Sequence, residues 1–178
     1  MKILKGRIFS FLKKPDNIHD TGSYILLEKG AIVCDETGVI VEIDDYSKLA
    51  KKYEGIETED FGSKIVCPGF IDLHNHFPQT QVIASYGTKL LEWLNKYTFP
   101  NESLFSDDSH CERESKVFLD LLNNNGITTT VSFGSVHVNS VEYLFREAHN
   151  RNMCVIAGNV LMDRNAPVTV LELSLIHI

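Results

Sequence analysis

The chain has 178 residues, 43% of them hydrophobic, and its 17 Lys and Arg against 24 Asp and Glu leave a formal net charge of -7. That is long and apolar enough for a core, and too acidic for a nucleic-acid backbone or an anionic membrane surface to be its partner. No apolar run approaches the roughly 20 residues of a membrane span, and Met1-Lys2-Ile3-Leu4-Lys5-Gly6 lacks the apolar stretch of a signal peptide, so a cytoplasmic protein acting on a small neutral molecule is expected.

In chain order, residues up to about 65 read as a small β layer. Strands are predicted over Ile3 to Leu12, Tyr24 to Glu28, Ala31 to Cys34 and Val39 to Ile43, with turns at Lys29-Gly30 and Asp35-Glu36-Thr37-Gly38. Asp45 to Tyr53 reads as a short surface helix. From Lys64 the pattern changes to alternating strand and helix. A strand opens after Pro68-Gly69 and ends at His76, with Phe70, Ile71 and Leu73 as its buried body. Ser106-Asp107-Asp108 starts a helix with Val117, Phe118, Leu121 and Leu122 on one face, and Gly126 suits its C-terminal cap. Ile127 to Phe133 is a β-branched strand. Asn139 or Ser140 caps the next helix, with Val141, Leu144, Phe145 and Ala148 inward, and Met153 to Leu161 is a further strand. Parallel strands joined by helical crossovers begin either an α/β barrel or an open sheet.

A closed barrel of eight such units takes roughly 250 residues, and only about 110 follow residue 64. The chain cannot close a barrel alone. Its last residues, Leu173-Ser174-Leu175-Ile176-His177-Ile178, are what CTG TCT CTT ATA CAC ATC, the opening of a transposon sequencing adapter, would encode. Residues 173–178 are therefore expected to be an artefact tail, with the natural gene running on past about Glu172, the alternative being a genuine apolar C-terminal strand; in either case His177 is not counted as a ligand.

Cys34, Cys67, Cys111 and Cys154 are scattered, which suggests neither a zinc knuckle nor a disulfide framework but reduced, mostly buried thiols. The missing Cys-x-x-Cys also excludes the zinc nucleobase deaminases that need it for their metal. Chemistry gathers instead at Ile71-Asp72-Leu73-His74-Asn75-His76. Side chains two apart on a strand share a face, so His74 and His76 can reach one ion at its carboxyl end, where parallel α/β folds place their sites. By the same parity Asp72 shares that face, where it is expected to orient a neighbour through hydrogen bonds rather than to bind metal.

Pro68-Gly69-Phe70-Ile71-Asp72-x-His74-x-His76, after a small β layer and before alternating strands and helices, resembles the motif that opens the barrel in the amidohydrolase superfamily. Phe77-Pro78-Gln79-Thr80-Gln81, then Leu90-Leu91-Glu92-Trp93-Leu94-Asn95-Lys96-Tyr97-Thr98-Phe99-Pro100-Asn101-Glu102, is similar to the guanine deaminase branch. Thr128-Thr129-Thr130-Val131 and Met162-Asp163-Arg164-Asn165-Ala166-Pro167 resemble it too. The resemblance implies an α/β fold. Residues 1–65 would be part of a composite β-sandwich domain, and residues 66–172 the first strands and helices of an incomplete (β/α)8 TIM barrel.

It further implies hydrolysis of guanine to xanthine and ammonia, with Zn2+ lowering the pKa of a bound water to about 7. His74 and His76 match the first two zinc ligands, and Gln79 matches a purine-reading glutamine, although a Gln just past a strand can simply be solvated. Trp93 either borders the pocket or packs with Leu90, Leu91 and Leu94. His137 lies at the right end of its strand, though a loop histidine is usually solvated. The family's other ligands, its general acid and an Arg-Phe pair come from later strands, so the 178 residues alone are expected to be inactive and the full-length protein a homodimer. Rival readings are another amidohydrolase of the same subgroup, acting on an adenosine derivative, a triazine or a modified guanine, and a non-catalytic binding protein that kept the fold.

Overall fold

The computed structural model describes residues 1–172; residues 173–178, the expected artefact tail with His177, lie outside the described residues. The chain divides into two compact units, one over Met1–Pro68 and one beginning at Gly69. Both mix strands and helices, so the class is α/β. No helix among the described residues is long and apolar enough to cross a membrane.

The first unit is a four-stranded sheet of β1 (Lys2–Phe11), β2 (Tyr24–Cys34), β3 (Ile40–Asp45) and β4 (Thr58–Val66), in the order β3-β2-β1-β4, with helix α1 (Tyr46–Lys52). Neighbours are antiparallel except β1 and β4, which run parallel. Ile3, Ala31, Val33 and Leu49 form its core.

Two expectations change here. The runs on either side of Lys29-Gly30 are one strand, because that dipeptide is a bulge rather than a turn. The pairing steps from Gly6↔Gly30 to Ile8↔Leu27, leaving an extra residue on β2. A Cβ on Gly30 would stand 2.6 Å from Ile8 Cγ1 and 2.7 Å from Leu27 Cβ, so glycine is what lets the bulge close. Strand β4 was not expected at all. It is a polar edge strand whose Glu59 and Asp60 pair with Lys2 at 2.6 Å and Lys5 at 2.7 Å, and that composition carries no apolar alternation.

In the second unit β5 (Phe70–His76), β6 (Ile127–Phe133) and β7 (Cys154–Gly158) form a parallel sheet in the order β5-β6-β7. Between β5 and β6 come a 3-10 turn (Phe77–Val82), a helix α2 (Leu90–Trp93), a widened π turn (Leu94–Thr98), a helix α3 (Phe99–Ser103) and the long α4 (Asp108–Asn124). Pro100, which has no N–H to donate, is the second residue after the widened turn, in the first turn of α3. Helix α5 (Val138–Asn150) crosses from β6 to β7.

Asp107 caps α4 as expected, its Oδ1 accepting from the Ser109 N–H at 2.9 Å. Gly126 follows that helix with φ at +76°, a conformation that favours glycine. The cap expected at Asn139 or Ser140 is displaced. Helix α5 begins at Val138, and Ser140 sits in its first turn, donating back to the His137 carbonyl at 2.7 Å.

The core joins Phe77, Phe105, Cys111, Phe118, Leu119, Leu122, Leu144 and Ala148. Phe77 meets Phe105 edge-on at 5.1 Å and Phe118 at 5.4 Å. The inward face of α4 runs through Cys111, Ser115, Phe118, Leu119 and Leu122; Val117, Leu121 and, on α5, Phe145 are exposed. Spacing identifies the helix but not which flank of its stripe meets the sheet. Phe70, Ile71 and Leu73 are also exposed, contrary to the buried body expected of β5. They lie on an edge strand whose covered side is used by polar residues instead.

Of the thiols, Cys111 is buried, whereas Cys67 and Cys154 are exposed, so the expectation of mostly buried cysteines fails at those two. Burial, and then the nearby Asp108 and Asp107 charges, push the Cys111 thiol up to about 11. At neutral pH an alkylating reagent is therefore expected to label Cys67 and Cys154 and to reach Cys111 only after denaturation. Mass mapping of the labelled protein checks this; native labelling of Cys111 at the rate of the other two would contradict it.

Candidate metal centre and adjoining cavity

The end of β5 is shaped by one extra residue. Pairing with β6 steps from Asp72↔Thr130 to Asn75↔Ser132, three residues against two. Asp72 and Asn75 consequently turn to the same side, and the expected alternation that put Asp72 with the histidines does not hold. Asn75 donates from Nδ2 to Asp72 Oδ2 at 2.9 Å and to Thr130 Oγ1 at 2.5 Å, and its Oδ1 accepts from Ser132 Oγ at 2.5 Å. Thr130 and Ser132 are buried, so Asn75 ties β5 to β6 through a satisfied network. Asp72 also accepts from the His74 N–H at 3.1 Å, the local hydrogen-bonding role expected of it.

His74 and His76 emerge side by side, ring centroids 5.4 Å apart at 73°. Phe133, at the end of β6, stacks on His76 at 4.9 Å and meets His74 edge-on at 5.4 Å. Partial burial, and then the like charge of His74, hold His76 below the ordinary imidazole range. A histidine kept neutral is the form that binds metal. The pair therefore fits a divalent ion as part of a donor set. Catalytic zinc takes three protein ligands, and among the described residues no group of three or more His, Cys, Asp or Glu is placed to hold a metal ion.

Directly after His76 the chain dives into the core. Phe77 and Pro78 are buried, and the turn they begin presents Gln79 and Thr80 to a cavity of about 310 Å³. That volume is at the lower end of the range for small-molecule sites. Asn75, His76, Val82, Ser85 and Trp93 also line it, so His76, Gln79 and Trp93, singled out separately in the sequence, meet at one cavity. The Trp93 indole N–H donates to the Ser85 carbonyl at 3.1 Å, holding the ring at the wall. Leu90 and Leu91 are exposed, so Trp93 does not belong to a buried leucine stripe. His137 stands elsewhere, at the N-cap of α5, and its Nε2 has no hydrogen-bond partner among the described residues.

One residue of the site escaped sequence reasoning. Glu102, in α3, is buried at 6% exposure and accepts at Oε1 from Gln79 Nε2 at 3.0 Å. Burial pushes its carboxyl above the usual range, and the hydrogen bond from Gln79 opposes that rise. Its neighbour Asn101 donates from Nδ2 to the Pro78 carbonyl. The available signal was a carboxylate just after the stretch Tyr97-Thr98-Phe99-Pro100, where a buried charge is not expected without a partner.

Comparison with known proteins decides the family, because the amidohydrolase family model matches residues 65–176. The chain belongs to the amidohydrolase family. This amidohydrolase chain is 35% identical over 173 residues to the guanine deaminase of Escherichia coli, covering 97% of the chain and 39% of that protein. The crystal structure of guanine deaminase from Bradyrhizobium japonicum superposes with a TM-score of 0.90 at 37% identity, over 95% of this chain and 37% of that one. The guanine deaminase of C. acetobutylicum with guanine bound in its active site matches with a TM-score of 0.81 at 31% identity, over 96% of this chain and 39% of that one. The chain thus spans about two fifths of the length of these relatives.

Proposed function

We propose that this chain is the opening part of a guanine deaminase, which hydrolyses guanine to xanthine and ammonia in the cytoplasm. The observation that carries the reading is the meeting of His76, Gln79 and Trp93 at one cavity, with His74 beside it. Identity of about one third to enzymes of that name over almost the whole chain supports it.

In this reading residues 1–65 contribute to a composite β-sandwich and residues 66–172 begin a TIM barrel, whose remaining strands cover the apolar side chains that β5 leaves exposed. His74 and His76 would hold a divalent ion, zinc by the resemblance. Such an ion supplies Lewis acidity that ionises water near neutral pH. The chain's own residues do the rest of what can be assigned here. Gln79 hydrogen-bonds the purine edge, Trp93 closes one wall against its ring and excludes water, and Asn75 holds the histidine-bearing strand in register. The remaining ligands and the proton carrier belong to the rest of the parent protein, which we expect to be a homodimer.

The test is guanine consumption by the parent protein, followed by ultraviolet absorbance together with ammonia release. We expect stoichiometric xanthine and ammonia from the parent and no turnover from residues 1–178 alone. A parent that leaves guanine untouched, or an isolated chain that turns it over, contradicts the proposal.

A further inference from the structure

We infer that Glu102 is a positioning residue that fixes which way the Gln79 amide faces, so that Gln79 offers a carbonyl oxygen to the cavity and favours ligands with N–H donors along that edge. The inference rests on the reading of Gln79 as a group that contacts the ligand.

A glutamine amide is nearly symmetric in shape, and only its hydrogen-bond partners decide which end is oxygen and which is nitrogen. The Gln79 N–H favours the ionised form of Glu102 against the effect of burial, and an ionised carboxylate can only accept. Glu102 therefore takes one N–H of Gln79, at 3.0 Å, and excludes the reversed amide, which would set oxygen against oxygen. Because Glu102 is buried, water does not readily replace it as the partner. The grip is double, since Asn101 binds the carbonyl of Pro78, the residue before Gln79. Gln79 Oε1 accepts no hydrogen bond from the protein among the described residues, and Gln79 lines the cavity. An oxygen acceptor there matches the ring N–H and exocyclic amine of guanine. It opposes the lone pair that adenine presents at its corresponding ring nitrogen.

A double-mutant cycle in the parent protein tests this, with guanine as substrate and adenine as competitor. Glu102→Gln should raise the KM for guanine by roughly tenfold, the effect of misplacing one hydrogen bond to a ligand. It should raise KM more than it lowers kcat and tighten inhibition by adenine relative to wild type. In a Gln79→Ala background the same change should add less than about twofold, because there is no amide left to orient. A purely structural role would instead give equal losses in both backgrounds, with a matching fall in melting temperature, and would overturn the inference. If Glu102→Gln does not fold, Glu102→Asp, which keeps an acceptor at shorter reach, is put through the same cycle with the same coupling expected. Wild-type protein that neither binds nor converts guanine overturns the reading of Gln79, and this inference with it.

Discussion

Replacing either His74 or His76 by alanine in the parent protein is expected to lower guanine turnover roughly 10³-fold, equivalent to about 4 kcal/mol of barrier. The size follows from what the pair would do. A metal ion contributes several kcal/mol of charge stabilisation in the transition state, and a site with three protein ligands that loses one holds it poorly. The loss should appear without unfolding, since both imidazoles are exposed on the sheet face and neither belongs to the core. Steady-state kinetics beside a thermal melt separates the two effects. Either variant keeping more than about a tenth of wild-type activity would argue against ligation.

The second large effect is on stability. Phe77→Ala should cost about 3–5 kcal/mol, as truncation of a buried phenylalanine does, out of the roughly 5–15 kcal/mol typical of a domain. Phe77 is fully buried, stands at 5.1 Å from Phe105 and 5.4 Å from Phe118, and joins the sheet to the helices beside it. Because it directly follows His76 and begins the turn bearing Gln79, the cavity should loosen with it. Phe133→Ala makes the contrast. Phe133 also touches aromatic rings, those of His74 and His76, but it is 43% exposed, so its removal should change stability far less. Denaturant unfolding of both variants checks the pair, and a Phe77→Ala loss below about 1 kcal/mol would contradict the assignment of Phe77 as the anchor.

What the sequence disclosed and what it concealed follow from the range of the forces involved. The strand ending in His74 and His76, the Asp107 cap and the glycine after α4 are local features, each decided within a few residues, and all three stand where their residues indicate. The two bulges were concealed because one inserted residue leaves no mark in hydrophobic periodicity. At Gly30 this turned one strand into two, and at Asp72 to Asn75 it assigned a side chain to the wrong face. Strand β4 was concealed by its edge position, where charge pairs take the place of apolar alternation. Glu102 was concealed because its partner lies 23 residues away, across a turn, a widened helix and a proline.

Metal content is the most direct test of the account, which turns on His74 and His76 sharing one ion. The parent protein purified with zinc should hold about one ion per chain at this site, with X-ray absorption showing nitrogen neighbours at roughly 2.0–2.1 Å, and the His74→Ala/His76→Ala protein should lose that ion while remaining folded. A doubly substituted protein that keeps its full complement of metal and the same nitrogen shell would contradict the account.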